Sequence, residues 1–241
     1  MTKITTIQGE GPSKPVRVEC SDGTVYDSDH VICTVSLGVL KERHTRWFDP
    51  PLNAKHVNAI EGLSIGATGK IFLEFKRSFW PDDWSGFGLV WNTNELTEIR
   101  ENPNQRWLEG VFRFLTVDYQ PNVLCARIAG DNHTKQMEMM SDNIVIAGIL
   151  RILKMFLPKW AISQPIQVKR ANWLSNPNFR GSYSFNSLKS DAFNASRREL
   201  SQPIKNSVGD PAILFAGEAT HEHFYSTVHG AVESGWREAI L

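Results

Sequence analysis

Polar and apolar residues alternate in two parts of the chain, which is the pattern of a strand with one buried face. The first alternation covers 16–20 and runs into Asp22-Gly23, a strong hairpin signal. The second covers 70–76 and places Lys70 on the polar face. The pattern therefore predicts a hairpin near the start and an amphipathic strand further on.

Apolar residues recur at helical spacing in three other segments. They predict a short helix over 54–63, a longer one between Ser141 and Pro158, and a last one over 227–240. The apolar run 212–216 predicts a buried strand just before the last helix. Helices and strands thus mix along the chain, which indicates an α/β (α+β) fold class.

The remaining segments give weaker patterns. The β-branched run 30–37 predicts a strand, and 79–130 predicts further antiparallel strands with aromatic anchors. Within it, the polar stretch 92–106 predicts a loop.

Composition narrows the classes of function. Among 241 residues, 26 are Lys or Arg and 26 are Asp or Glu, so the formal net charge is zero. This balance lacks the basic excess of a nucleic-acid binder, and we expect no nucleic-acid partner. The three cysteines form no C-x-x-C pair, so we expect no disulfide framework and no metal site.

Targeting signals are not visible in the sequence. The stretch 1–10 is polar, and the apolar stretch 144–157 is interrupted by Arg151 and Lys154. The terminal Ile240-Leu241 carries no peroxisomal tripeptide. We therefore expect no membrane association and a location in the cytoplasm, with the nucleus as an alternative.

The segment 215–239 holds the strongest candidate chemistry. It is a buried strand, a loop and a helix whose residues 230, 231, 234 and 235 are all small. Unpaired N–H groups at Thr227 and Val228 would gather partial positive charge at the helix start, which suits an electron-rich oxygen. On spacing alone, the pattern favours a helix whose small residues serve only close packing.

The runs Glu218-Ala-Thr-His221 and Tyr225-Ser-Thr-Val-His-Gly-Ala231 change this interpretation. They resemble the carboxy-terminal FAD motif of the flavin-containing amine oxidases, in the form seen in the polyamine oxidase branch and nearest to the spermine oxidases. The resemblance implies that Glu218 lies near the ribose and diphosphate of FAD. It also implies that Thr227 and Val228 lie at the pyrimidine edge of the flavin.

The segment 63–75 resembles the family's strand with a lysine that holds a water beside the flavin N5 atom, and Lys70 occupies that position. Without the resemblance, Lys70 would be interpreted as an ordinary solvated lysine. The resemblance thus implies a catalytic role for Lys70.

The segment 171–184 resembles the family's W-x-x-x-P and R-G-S-Y-S stretch. The resemblance implies that Trp173 packs beside the flavin and that Tyr183 forms a wall of the substrate site, where an aromatic face attracts an amine cation. Ser182 stands where monoamine oxidases carry a flavin-linking cysteine, which implies non-covalent FAD. Thr227 replaces a second wall tyrosine of those enzymes, which favours a polyamine channel.

The resemblance covers the carboxy-terminal half of a family member. A G-x-G-x-x-G turn is missing, and the nearest cluster, Gly9-Glu-Gly11, precedes Pro12. We expect 1–49 to form part of the FAD domain, 50–171 the substrate domain, and 172–241 the return to the FAD domain. The chain would be either an incomplete copy of an oxidase or a genuine short product.

The implied activity is oxidation of spermine, spermidine or an acetylated form by O₂, giving an aldehyde, a shorter amine and hydrogen peroxide. Three alternatives stay open: a histone lysine demethylase-like enzyme, a plant-type or bacterial amine oxidase, and a non-catalytic partner that docks on a full-length oxidase. The sequence does not fix the oligomeric state.

Overall fold

The computed structural model describes residues 3–6 and 16–240, so the Gly9-Glu-Gly11 cluster lies outside the described residues. The chain forms two compact units. The first unit comprises the residues up to Gly66 and those from Pro177 onwards, and the second comprises Ala67–Asn176. The second unit is therefore inserted into the sequence of the first.

Helices and strands alternate in both units. Within the described residues the α-helices are α1 (Leu37–Trp47), α2 (Ala54–Gly62), α3 (Thr93–Glu101), α4 (Asp131–Met139), α5 (Asp142–Phe156), α6 (Leu188–Ala192), α7 (Arg197–Leu200) and α8 (Val228–Ala239). The strands are β1 (Lys3–Thr6), β2 (Val16–Glu19), β3 (Val25–Ser28), β4 (Val31–Cys33), β5 (Phe48–Asp49), β6 (Ser64–Gly66), β7 (Thr68–Glu74), β8 (Gly86–Gly88), β9 (Val111–Val117), β10 (Gln120–Ala129), β11 (Gln167–Arg170), β12 (Tyr183–Phe185), β13 (Ile204–Lys205) and β14 (Pro211–Phe215).

The second unit is built on a five-stranded sheet in the order β11-β7-β10-β9-β8. Every neighbouring pair in it is antiparallel. One face of the sheet supplies buried side chains such as Ile71 and Phe114, which cluster with Ile149 of α5. The period-2 pattern of β7 and the 3.6-residue pattern of α5 thus bury their apolar faces in one core.

The first unit contains a four-stranded sheet, β3-β2-β1-β5, and a three-stranded sheet, β13-β14-β4. In the latter, β14 and β4 are parallel and pair Phe215 with Cys33. A third pair joins β12 to β6, with Tyr183 opposite Gly66. Both parallel strands therefore end at the same edge, and the loops that follow them emerge side by side.

Four sequence predictions are confirmed. The hairpin at Asp22-Gly23 joins β2 to β3, and β7 has alternating burial with Lys70 exposed. Helix α5 begins after Ser141, and α8 begins after Thr227.

Two predictions were wrong. The polar stretch 92–106 contains helix α3, whose start is fixed by a capping box between Asn92 and Glu95. Only Ile99 of that helix is buried, so the hydrophobic pattern is too sparse to indicate a helix. The run 30–37 is a strand only as far as Cys33. Ser36 is the N-cap of helix α1, and its side chain accepts a hydrogen bond from the Val39 amide in the first turn.

The borders of the units differ from the sequence-based boundaries. Helix α2, expected in the substrate domain, belongs to the first unit because Ala59 and Ile60 pack into the core of that unit. The expected boundary at 171 lies inside the second unit, which extends to Asn176.

Candidate flavin site

A cavity of about 280 Å³ lies in the first unit where the parallel strands β4 and β14 end. Its lining includes Thr34 and Ser36 after β4, Gly217 and Glu218 after β14, and Ser182 just before β12. The crevice outside the carboxyl ends of parallel strands is where α/β folds bind ligands. The segment 33–37, for which the sequence predicted only a strand, therefore contributes to the cavity.

Glu218 follows a glycine with an unusual backbone conformation. Gly217 has φ 128°, and a Cβ added to it would meet no atom within 4 Å. Only glycine adopts this φ readily. The carboxylate of Glu218 is held within the chain, since Oε1 accepts from the Ser184 amide at 3.0 Å and Oε2 accepts from the Ser226 amide at 2.6 Å.

Helix α8 begins beside this network. Thr227 is its N-cap, and its hydroxyl accepts from the Gly230 amide at 3.2 Å and donates to the Phe224 carbonyl at 2.5 Å. A Cβ at Gly230 would lie 2.0 Å from the Phe224 carbonyl oxygen, so the close approach requires glycine. Val228 is exposed at the helix start, where the macrodipole favours negative charge.

Tyr183 lies on the short strand β12, and its ring is partly exposed. The strand is fixed by pairing with β6, and the Ser182 amide donates to the Gly66 carbonyl at 2.8 Å. Part of the phenol ring therefore reaches the surface of the first unit.

Lys70 lies on the outer face of β7 in the second unit. Its cross-strand partner on β10 is Arg127, and the partner of Arg127 on β9 is Arg113. Three cations thus stand side by side on one face, an arrangement that like-charge repulsion disfavours. The neighbouring Cys125 is buried, and this burial raises the pKa of its thiol, while Arg127 and Lys70 act to lower it.

Trp173 follows β11 in the second unit and is partly exposed. The amide of Ala171 donates to the Lys70 carbonyl at 3.0 Å, so this segment starts beside Lys70. The buried carboxylate of Glu138 accepts from the amides of Leu174 and Ser175 at 3.1 and 2.7 Å. Glu138 thereby fixes the loop that carries Trp173.

The predicted residues fall into two groups. Glu218, Thr227, Val228 and Tyr183 belong to the first unit, where hydrogen bonds through Ser184 and Ser226 bring their segments together. Lys70 and Trp173 belong to the second unit, where the Ala171 amide links their segments. Sequence reasoning missed Ser184, Ser226 and Glu138, although the motif runs Arg180-Gly-Ser-Tyr-Ser184 and Tyr225-Ser-Thr-Val-His-Gly-Ala231 contain the two serines.

The cavity fits a portion of a dinucleotide cofactor. Ligand pockets usually span about 300–1,000 Å³, so this volume suits one part of such a molecule. Open space in front of Gly217 lets a ligand approach the backbone closely. The residues that line the cavity, among them Ser182 and Gly217, therefore fit a portion of FAD.

Comparison with known proteins decides the family. The sequence profile described as "Flavin containing amine oxidoreductase" matches residues 1–240. The chain belongs to the flavin-containing amine oxidoreductase family. FAD is accordingly its cofactor, and the fold is the α/β fold of the amine oxidases.

Curated relatives lie in the polyamine oxidase branch and beyond it. The chain is 38% identical to the human peroxisomal N(1)-acetyl-spermine/spermidine oxidase, over 95% of this chain and 45% of that protein. It is 31% identical to the probable polyamine oxidase 5 of Arabidopsis thaliana, over 98% of this chain and 49% of that protein. It is 34% identical to a possible lysine-specific histone demethylase 1 of Drosophila melanogaster, over 89% of this chain and 24% of that protein.

A solved structure supports the fold. The chain matches a putrescine oxidase, redesigned in its cofactor binding, with a TM-score of 0.70 at 19% identity, over 99% of this chain and 47% of that one. The chain therefore spans about half the length of the human and Arabidopsis oxidases and of the putrescine oxidase structure, and 24% of the Drosophila protein. Among the described residues, no helix has the length and apolar content to cross a membrane.

Proposed function

We propose that this chain forms half of an FAD-dependent polyamine oxidase, acting on spermine, spermidine or an acetylated form. The observation that carries the proposal is the crevice at the ends of β4 and β14, where Gly217, Glu218 and the start of α8 meet. The polyamine oxidases among its relatives support the substrate class. The glycine-rich turn that binds the diphosphate would be supplied by another stretch of polypeptide.

The proposed reaction joins a secondary amine, O₂ and water and gives an aldehyde, a shorter amine and hydrogen peroxide. The carbon next to the nitrogen loses a hydride while the nitrogen lone pair forms a C=N bond, and water then adds to that bond and splits it. FAD, when bound, would accept the hydride and pass its two electrons on to O₂.

Residues of this chain would bind and orient the reactants. The exposed ring of Tyr183 offers an aromatic face that attracts an alkylammonium group. The start of α8 at Thr227 and Val228 stabilises an electron-rich oxygen of the cofactor. Trp173 shields the cofactor from water, and the Lys70 ammonium group donates a hydrogen bond to a water molecule and so holds it for proton transfer.

A first experiment tests cofactor and activity together. The purified chain is mixed with FAD and passed over a gel-filtration column, and the flavin bands of the protein fraction are recorded. Retained flavin followed by peroxide release with N1-acetylspermine or spermine supports the proposal. Flavin retention without peroxide from any polyamine, but with peroxide from a methyl-lysine peptide, would favour the demethylase-like alternative.

Lys70→Met and Lys76→Met form a matched pair, since both lysines are exposed, Lys70 on β7 and Lys76 just after that strand. Proton-transfer groups typically contribute about 10²–10⁴-fold to rate. Lys70→Met should therefore lower peroxide release at least about tenfold, whereas Lys76→Met should leave it unchanged. Equal rates for both variants would remove Lys70 from the mechanism.

The non-catalytic alternative has its own signature. A chain that retains no flavin alone but co-purifies with a full-length oxidase, without changing the peroxide yield of that oxidase, acts as a docking partner. Restoration of flavin binding and activity by a separately expressed glycine-rich half would instead support the proposed oxidase.

The pH dependence tests the chemical step. The reacting nitrogen must be uncharged to release a hydride from its neighbouring carbon, so the rate at saturating FAD should rise with pH until the substrate deprotonates. A flat profile between about pH 6 and pH 9 contradicts hydride loss from the free amine.

A further inference from the structure

A buried arginine that the sequence did not single out lies beside Ser184 and Ala219 in the first unit. Arg197 opens helix α7 and is 4% exposed. A charge this deeply buried requires hydrogen bonds and an opposite charge nearby. The hydrogen-bond partners of Arg197 therefore indicate its role.

The guanidinium of Arg197 spreads over several chain segments. Nη1 donates to the Ser184 hydroxyl at 2.7 Å and to the Ala219 carbonyl at 3.1 Å, and Nη2 donates to the Asn186 side chain at 3.1 Å. Its carbon Cζ lies 3.7 Å from the centre of the Tyr225 ring, which is a cation–π contact. Burial lowers the pKa of Arg197, and the charge of Glu218 opposes this effect.

Ser184 transmits this contact to Glu218. The Ser184 hydroxyl, which accepts from Arg197, donates to Glu218 Oε2 at 2.7 Å. The same carboxylate oxygen accepts from the Ser226 amide at 2.6 Å, and the Ser226 hydroxyl donates to the Ser184 carbonyl. Arginine, hydroxyl, carboxylate and turn thus form one continuous network.

The turn at Ser226 needs such support. Ser226 has φ 64°, a left-handed conformation that a serine adopts at a cost of about 1–2 kcal/mol per residue. It immediately precedes Thr227, the N-cap of α8. Ser184, which bridges Arg197 and Glu218, immediately follows Tyr183 on β12.

We infer that Arg197 is a positioning residue that holds Tyr183 and the start of α8 in fixed register, acting through Ser184 and Glu218. The inference deepens the proposed function and rests on it for the roles of Tyr183 and Thr227. It assigns Glu218 a distinct task, because its carboxylate clamps the Ser226 turn from within the chain. The substrate wall and the flavin edge are then set by one ion pair bridged by a hydroxyl.

Hydrogen exchange of the full chain without cofactor tests the network directly. The amides of Ser184 and Ser226 both donate to Glu218 and serve as probes. Arg197→Met removes the cation, and Ser184→Ala removes only the bridging hydroxyl. Each should speed exchange of both segments, 182–186 and 224–230, by about tenfold or more, since local opening sets these rates.

Arg198→Met is the matched control, because the neighbouring Arg198 is exposed. Arg198→Met should leave the exchange rates of both segments unchanged. Peptides from α5 should exchange at the same rate in every variant. Loosening of only one segment, or of neither, would overturn the coupling. Should Arg197→Met fail to fold, Ser184→Ala keeps both charges in place and decides the question alone.

Flavin fluorescence distinguishes a positioning role of Arg197 from a role in the stability of the first unit alone. With FAD bound, a tyrosine ring at position 183 should quench flavin fluorescence, and Arg197→Met should raise that fluorescence while Arg198→Met does not. Unchanged fluorescence together with faster exchange throughout the first unit would mean that Arg197 only stabilises the fold. A chain that retains no FAD even when the separately expressed glycine-rich half is added contradicts the proposed function, yet the exchange result without cofactor still stands or falls independently.

Discussion

Helices α5 and α8 are both amphipathic, but the two units use them differently. The apolar side of α5 is buried, with Val145, Ile149 and Ile152 fully inaccessible to solvent. On α8, the stripe Val228, Val232, Trp236 and Ile240 repeats every four residues and is exposed. Val228 is 82% exposed and Trp236 is 65% exposed.

The apolar side of α5 is thus part of a covered core, whereas the apolar stripe of α8 is exposed to solvent. The second unit covers its apolar faces with its own residues, whereas the α8 stripe of the first unit meets no covering element among the described residues. Exposed apolar surface of this kind usually marks a contact surface. Core substitutions should therefore be costly in the second unit, and equivalent changes on the α8 stripe should be nearly neutral.

Two tryptophan truncations give the largest expected contrast. Trp107 is 1% exposed in the core of the second unit, so Trp107→Ala should lower the free energy of unfolding by about 3–5 kcal/mol. Trp236→Ala, on the exposed stripe, should change it by less than about 0.5 kcal/mol. Urea denaturation measures both values, and similar losses would erase the distinction between the buried core of the second unit and the exposed stripe of α8.

Two glycine substitutions should have opposite signs. A Cβ at Gly148 of α5 would lie 2.7 Å from a Trp107 ring carbon, so Gly148→Ala should destabilise by about 1–3 kcal/mol. A Cβ at Gly235 of α8 would meet nothing within 4 Å, so Gly235→Ala should stabilise by about 0.5–1 kcal/mol through helix propensity. Thermal denaturation monitors both, and a destabilising Gly235→Ala would mean that this face of α8 is covered.

A pH-dependent effect of comparable size concerns Cys33 in the cavity wall of the first unit. Burial raises the pKa of its thiol to about 11 from an ordinary value of 9.0. Because the folded-state pKa is the higher one, its contribution is complete below about pH 9 and is lost as pH rises towards about 11. Between neutral pH and pH 10 the loss should be roughly 1 kcal/mol, since one pKa unit corresponds to that order of free energy.

Denaturation curves of the unaltered chain and Cys33→Ala, recorded from about pH 7 to pH 10, isolate this contribution. The difference between their unfolding free energies should shrink with pH by that amount. Cys20→Ala is the control, because Cys20 is only partly buried. A pH-independent difference would mean that solvent reaches the Cys33 thiol.

How much the sequence predicts depends on how local the signal is. Strand β7 and helices α5 and α8 follow from periodicity, since each has a regular apolar face. Helix α3 was missed because Ile99 is its only buried residue, although Asn92 and Glu95 form a readable capping box.

The site divides in the same way. The motif around Glu218 and Thr227 is contiguous, so a resemblance finds it. Arg197 and Ser184 meet Glu218 only because separate segments fold together, and no local pattern signals a bridge between residues distant in sequence. The role of Glu138 beneath the Trp173 loop is hidden for the same reason.

The cavity at the ends of β4 and β14 also has an evolutionary consequence. Loops that follow the strands supply much of its lining, while the strands themselves are held by pairing and core packing. Loops tolerate substitution and changes of length far better than paired strands do. Descendants of such a chain could therefore alter what the cavity accommodates by substitution at 34 and 35, while the sheet, Gly217 and Glu218 are inherited intact.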